Sequence, residues 1–446
     1  MPTIPRPRHP AVWSIYRWMR EPYPYLDDLH AMYGDTFHMD LFGLEFAVFS
    51  NPDDVKDVFS DDGSELEGGK FNRTLSALLG DRSVLMADGK DHRRKRKLLL
   101  PPFLGERMQA YGQTMLDVSD DLIDEMPHQQ SFALHASMQD ITLRVIIQTI
   151  FGFSGARLEE MVRNTKKLLQ LGAWAPLLIP AMQVDLGKFS PYGRFRRAVA
   201  ESDRLLFRNI DDKRKSGERG ADILSLLIDA RDEDGQPMSD EELRDELVTL
   251  LVAGHETTAT ALTWAMRWLL ENPETLAELG AELDALGPDP SPETIARATL
   301  LDGVVREALR LVPVIPLVGR ALAKDRTIGG YHLKAGTYLT CSIYLAHRRP
   351  EAYPHPLRFD PHRFVGKKLT PQEFFPFGGG VRRCIGMQFA LYEMKMVLAR
   401  LVTRCDFALD PKGQLGMERR SITITPTSGL RVLLKRRRLR RSLVAA

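Results

Sequence analysis

Cys384 stands in the run Phe374-Phe375-Pro376-Phe377-Gly378-Gly379-Gly380-Val381-Arg382-Arg383-Cys384-Ile385-Gly386, and an amphipathic stretch over 387–403 follows at once. The thiol is therefore expected at the start of a helix. Backbone N–H groups that lack intrahelical partners gather there, and with the helix dipole they stabilise an anion, so the sequence predicts a thiol that ionises more readily than a free one. A lone Cys near a helix is more often an inert core residue; the glycines, which let the backbone approach the sulfur, set this one apart. A second equipped stretch is Ala253-Gly254-His255-Glu256-Thr257-Thr258. At helical spacing Leu250, Ala253, Gly254, Thr257, Thr258 and Ala261 share one face of small or polar residues. Such a face admits something bulky or packs closely against another helix, and spacing alone leaves both open.

These residues need elements to hold them. Ser239 with Glu242 three residues on forms a capping box, and Pro273 sets the far limit, so a helix is predicted over 239–272. At 1.5 Å per residue it is about 48 Å long, enough to cross a whole domain. Most of 105–311 has helical apolar spacing, broken by punctuation such as Gly235-Gln236-Pro237 and Gly287-Pro288-Asp289-Pro290. Strand patterns cluster at 36–49 and 320–343. The fold class expected is mainly α with minor β. The 446 residues would suit about three domains or one large one. No repeat, linker or composition break divides them, so a single domain over 1–446 is expected.

Hydrophobic residues make up 43% and charged ones 27%, which excludes disordered, fibrous and disulfide-framework chains. Of the net charge of +2, six positive charges belong to Lys435, Arg436, Arg437, Arg438, Arg440 and Arg441, leaving about −4 elsewhere. A whole-protein basic field for nucleic acid is absent, and residues 435–446 read as a basic, disordered tail. Three cysteines, Cys341, Cys384 and Cys405, fit a reducing cytoplasm rather than a disulfide scaffold. The first twenty residues, with Pro2, Pro5, Pro7 and Pro10 among scattered charges, do not resemble a signal peptide. The greasiest pieces, 175–182 and 247–254, are too short to span a bilayer, so no membrane anchor is expected.

The pattern Phe377-x-x-Gly380-x-Arg382-x-Cys384-x-Gly386 resembles the haem-binding loop of the cytochrome P-450 family, and three further motifs follow the family's order. The resemblance implies a single-domain cytochrome P-450 fold, with haem b (iron protoporphyrin IX) between the long central helix and the Cys loop and its helix. It implies that Cys384 is the axial thiolate ligand of the haem iron, pushing electron density onto it. Phe377 and Gly386 would lie near the sulfur, and Arg382 would bind a haem propionate. In the segment Asp88–Lys97, His92 and Arg96 would reach propionates, as would Arg320. Arg93, Arg94, Lys95 and Lys97 suit either a solvated helix face or docking of an acidic electron carrier. Glu307-Ala308-Leu309-Arg310 and Arg363 resemble the family's buried Glu–Arg–Arg network, which is structural. The run 253–258 resembles its oxygen-activation motif: Ala253 and Gly254 make room for haem, and Glu256 and Thr257 relay protons so that one oxygen atom departs as water. His255, about 100° around the helix from its neighbours, is left without a ligand role.

By this resemblance the protein is a bacterial haem-thiolate monooxygenase that hydroxylates or epoxidises a small lipophilic substrate with O2. No flavin or nicotinamide fingerprint and no ferredoxin-like Cys cluster is present, so NAD(P)H electrons must come through a ferredoxin or flavodoxin with its reductase. The pocket would draw on 71–86, 168–182, 314–318 and the turn at 425–428, with Phe71, Leu75, Leu78, Met86, Leu250, Ala253, Val314, Ile315, Leu317 and Pro426 as lining. The stretch 96–108 is similar to members associated with fatty acids and terpenoids. Two other readings stay open: a peroxygenase or isomerase that needs no electron donor, and a non-catalytic haem-binding sensor.

Overall fold

The computed structural model describes residues 2–41, 43–172, 184–217, 220–367, 369–420 and 422–439, with Glu106 described in its backbone only. The long helix spans Asp240–Glu271. Its capping box forms as the sequence predicts: the Glu242 N–H donates to Ser239 Oγ at 3.1 Å, and the Ser239 N–H donates to Glu242 Oε2 at 3.0 Å. Pro273 opens the next helix, Pro273–Ala285, with Asn272 as the hinge between them. Along its length the long helix packs against Leu134–Phe151 and, on another side, against Met387–Arg404. The Trp264 indole N–H donates to the Ile424 carbonyl at 2.8 Å, which ties the same helix to the strand Thr423–Pro426.

The sheets are small and lie at the edge of this helical body. One has five strands in the order Thr36–Leu41, Leu44–Phe49, Tyr338–Ser342, Leu317–Leu322, Leu66–Glu67. Its pairings are antiparallel except that of Leu44–Phe49 with Tyr338–Ser342. The predicted strand region 36–49 thus meets both ends of 320–343 in one sheet, while Arg326–Ile328 and Tyr331–Leu333 between them form a separate hairpin. Among the described residues no single helix is long and apolar enough to cross a membrane.

Two expectations require correction. The basic end is not a disordered tail over 435–437: Arg431–Arg437 is a strand between Ser131–Ala133 and Cys405–Leu409. Two of its arginines are tied down. Arg436 Nε donates to Asp406 Oδ2 at 2.6 Å, and Arg437 Nη2 to the Met126 carbonyl at 2.6 Å. Residues 440–446 lie outside the described residues. Likewise, the cations beside His92 are not a uniformly solvated face or a free docking patch. Lys95 is 2% exposed, with Nζ 2.7 Å from Glu242 Oε1; Arg94 bonds Asp232 and Glu242 at 2.6 and 2.8 Å, and Lys97 meets Glu233. The helix Gly89–Leu99 is thereby clamped to the first turn of the central helix.

Glu307, on the helix Thr299–Leu311, forms a buried network with Arg310 and Arg363. Arg310 donates to both Glu307 oxygens at 2.6 and 2.9 Å, Arg363 Nε donates to Oε1 at 3.1 Å, and the Asp360 N–H joins at 2.9 Å. Arg310 also reaches the carbonyls of His347 and Pro356, at 2.9 and 2.7 Å. With Glu307 and Arg310 fully buried, removing one of them leaves the other as uncompensated charge.

Two outcomes follow. Glu307→Ala should lose about 3–5 kcal/mol of stability and yield little haem-loaded protein; a thermally stable, fully loaded variant would contradict a structural role. For Glu242, burial raises the pKa, but the bonds from Lys95, Ser239 and Arg94 win and bring it down to about 2. A depressed carboxylate contributes stability above its unfolded pKa of about 4.3 and loses it as pH falls through its folded value. Acid unfolding between about pH 5 and pH 2 should therefore flatten in Glu242→Gln, as read by circular dichroism.

Candidate active site

Cys384 differs from the other two cysteines. Cys341 and Cys405 are buried, and burial pushes both thiols up to about 12. The Cys384 side chain is exposed, yet desolvation by surrounding protein also dominates its pKa and raises it. Both hold only if the surface it exposes faces an interior space rather than bulk water. The expected easy ionisation is therefore corrected: the Gly386 N–H bonded to the sulfur and the nearby Arg96 charge pull the pKa down, but burial outweighs them. Gly386 caps the helix Met387–Arg404, and the Cys384 N–H donates to the Phe377 carbonyl at 3.0 Å, closing the loop. Gly380 cannot be replaced within this loop. Its φ is +64°, and a Cβ there would stand 2.2 Å from the Phe59 carbonyl oxygen.

Four basic side chains converge here from three elements: His92 and Arg96 from the helix Gly89–Leu99, Arg320 from the strand Leu317–Leu322, and Arg382 from the loop itself. His92 is buried, and its imidazole is pushed down to about 3 by burial and then by Arg382, Arg96, Arg320 and Arg93. Burial brings Arg382 down to about 10; Asp88 opposes the shift, and Arg320 and Arg96 add to it. Arg382 Nη2 donates to the Ala87 carbonyl at 2.6 Å and to Asp88, while its Nε and Nη1 are buried without a partner. Burial lowers Arg320 and Arg96 as well, and Arg96 is offset by Cys384. Three guanidiniums held together, with Asp88 facing them and Asp61 also acting on Arg320, form a site for anionic groups. Unpartnered buried guanidinium donors next to a sulfur that faces an interior space fit a metalloporphyrin with acidic side arms. Asp88, which also accepts from the Gly69 and Lys70 N–H groups at 2.9 and 3.0 Å, was not singled out by the motifs.

On the central helix Ala253 is exposed between buried Leu251 and His255, with Thr257 half-buried one turn on. Gly254 does not belong to that open side: a Cβ there would meet Ile146 Cδ1 at 3.2 Å, so the glycine serves the close approach of Leu134–Phe151 instead. Thr257 Oγ1 donates to the Ala253 carbonyl at 2.6 Å. Glu256 turns to the neighbouring helix, accepting from Gln139 Nε2 at 2.6 Å and standing 3.2 Å from His135 Nε2. Burial alone would raise its pKa, but these bonds hold it below the usual carboxylate range. Neither His135 nor Gln139 carries a motif. They come from another helix, and nothing in the local sequence marks them.

The lining residues are placed unevenly. Leu75, Leu78, Leu250, Ile315 and Leu317 are half-buried against the main core, which includes Met86 and Val314, and Leu78 also packs with the cluster of Leu168 and Phe195. Phe71 lies against the five-stranded sheet, edge-on to Phe46 and Tyr338 and directly over Gly319. Pro426 is buried in the hairpin opposite Met417. Of the expected stretch 168–182, residues 173–182 lie outside the described residues. The loop over residues 82–84, before the helix Gly89–Leu99, is tied to the central helix. The Arg82 and Val84 N–H groups donate to Asp245 and Glu246 at 2.9 and 2.7 Å, and Thr249 Oγ1 donates to Ser83 Oγ at 2.8 Å.

The family model described as cytochrome P450 matches residues 2–433. The chain belongs to the cytochrome P450 family. A Mycobacterium tuberculosis relative named for cytochrome P450 135B1 is 35% identical, covering 97% of this chain and 91% of its own. Another from the same species, named for cytochrome P450 135A1, is 33% identical over 97% and 96%. Neither name carries a substrate. A solved structure of retinoic acid-bound cyanobacterial CYP120A1 superposes with a TM-score of 0.86 at 25% identity, covering 98% of this chain and all of that one. The P450 fold is thus shared across the whole length, and the family's chemistry is that of haem-thiolate oxygenases.

If Cys384 is the thiolate ligand, the reduced protein with CO should give a Soret band at the strongly red-shifted thiolate position. Cys384→Ser should lose that band, and Cys341→Ser and Cys405→Ser should keep it. A histidine-type band in fresh wild-type protein would remove Cys384 from the role.

Proposed function

We propose that this P450 inserts one atom of O2 into a lipophilic substrate of fatty-acid or terpenoid type, the second atom leaving as water. Electrons would pass from NAD(P)H through a ferredoxin or flavodoxin and its reductase. The observation that carries this reading is the Cys384 sulfur, exposed yet desolvated by surrounding protein, close to Arg96 and to an Arg382 guanidinium with two unpartnered buried donors.

Cys384 would hold the haem iron, with Phe377 and Gly386 beside the sulfur. His92, Arg96, Arg320 and Arg382 would hold the propionates. When bound, haem supplies activation of dioxygen at an iron tuned by its thiolate ligand. The chain's own task is to keep the sulfur anionic, which the Gly386 N–H and Arg96 favour against burial, and to supply protons. Thr257 spends its hydroxyl proton on the Ala253 carbonyl, so its oxygen is left as an acceptor that can orient a proton donor in the cavity. Glu256, anchored by Gln139 and His135, is the neighbouring acid. Leu75, Leu78, Met86, Leu250, Ala253, Val314, Ile315 and Leu317 offer a substrate only apolar contact. Retinoic acid on the cyanobacterial relative, a long apolar chain, agrees with that class.

Candidate lipids would first be screened for a low-to-high-spin shift, then offered with NADPH and a surrogate ferredoxin chain. Oxygenated product is expected. Product from peroxide alone, with none from NADPH, would make the protein a peroxygenase; ligand binding without either would leave a haem sensor. Thr257→Ala should bind haem and substrate but divert reducing equivalents to hydrogen peroxide, and unchanged product per NADPH would take Thr257 out of the mechanism.

A further inference from the structure

Hydrogen-bond accounting around Glu256 leads further. His135 is fully buried on the helix Leu134–Phe151. Its Nδ1 stands 3.1 Å from Thr263 Oγ1, and its Nε2 stands 3.2 Å from Glu256 Oε1. The Thr263 hydroxyl donates its only proton to the Ala259 carbonyl at 2.7 Å, so toward His135 it can only accept. Nδ1 must then carry hydrogen. A neutral imidazole with its proton on Nδ1 presents a bare lone pair at Nε2, which would face a carboxylate oxygen in a site closed to water on the histidine side. Two acceptors do not sit at that distance without a proton between them.

We infer that His135 and Glu256 hold one proton in common, as imidazolium with carboxylate or as imidazole with carboxylic acid, and that this pair is the store from which Glu256 supplies protons. The inference rests on the monooxygenase reading above. His135 acts through Glu256 and is a positioning residue. Gln139 donates to the other carboxylate oxygen at 2.6 Å and can remain there in both forms. The remaining groups around the pair do not replace His135. Lys166, from Gly155–Gly172, is 2.5 Å from Asp140 and balanced by it. His255, which burial pushes down to about 4, is neutral. Delivering the proton takes the pair from net zero to one negative charge, with no electron moved. It also leaves two lone pairs face to face, which drives recapture of a proton from water.

The test uses the ferrous carbonyl holoprotein, which is diamagnetic, with 15N-labelled histidine at about pH 8, where an ordinary histidine is neutral. His135→Gln identifies the resonances. Nδ1 is expected to carry a proton, together with either a second proton on Nε2 or a protonated-carboxyl stretch in the infrared; Glu256→Gln should abolish that second feature. A bare Nδ1, or a neutral His135 beside an ionised Glu256, overturns the shared proton. If His135→Gln does not fold, Glu256→Gln identifies the pair on its own. In turnover, His135→Gln should lose product per NADPH increasingly as pH rises, because the remaining acid has no partner to keep its proton. A pH profile of coupling identical to wild type would overturn the store while leaving the monooxygenase intact. Absence of any NADPH-driven product in wild type would fail that earlier reading, and the resonance and infrared result would still decide the pair.

Discussion

One unbroken helix, Asp240–Glu271, has to satisfy a different neighbour at almost every turn. Its first turn takes the cations of Gly89–Leu99 through Glu242; its second accepts loop N–H groups on Asp245 and Glu246. Ala253 and Thr257 then face open space, Glu256 reaches His135, and Trp264 pins a strand from the far end of the chain. Backbone hydrogen bonds within the helix fix the phase of all these side chains relative to one another. An insertion of one residue anywhere along it would rotate every later contact by about 100°, so the clamp at its start and the site in its middle stand or fall together.

The second constraint is charge placed where water is scarce. Glu307 and Arg310 solve it by mutual pairing and by carbonyl acceptors. The cluster of His92, Arg96, Arg320 and Arg382 does not solve it within the protein: Asp88 and Asp61 face three guanidiniums, and two Arg382 nitrogens stay unpartnered. Cys384 is the mirror case: as a metal ligand it would have to become an anion in surroundings that raise its pKa. Both imbalances have the sign that a bound metal ion with two carboxylate arms would cancel. Protein and such a ligand would be electrostatic complements.

Local rules made much of this legible. Ser239 and Glu242 announced the start of the central helix and Pro273 its end, because a cap and a breaker act within a turn of where they are written. The Cys loop was legible for the same reason. What escaped were relations across the fold. Lys95 reads as one more exposed cation until Glu242 arrives from 147 positions away. The strand Arg431–Arg437 was hidden because its charges look solvated, whereas Asp406 and the carbonyls near Met126 receive them. Glu256 was singled out by its motif, but its partners on another helix were not, and the direction of the Cys384 pKa turned on burial, which no spacing encodes.

The loop over residues 82–84 is held to the central helix by the Arg82 and Ser83 side chains and also by two backbone N–H groups. Every residue but proline carries such a donor. Side chains nearby, such as Leu75, Leu78 and Met86, take no part in these bonds and can be exchanged in the course of divergence without unfastening the segment that presents them. The attachment belongs to the helix, written in residues far along the chain, so the shape of the pocket can drift while its hinge stays put. A scaffold so arranged separates what it grips from how it is gripped, and new substrates can be reached by changing one without renegotiating the other.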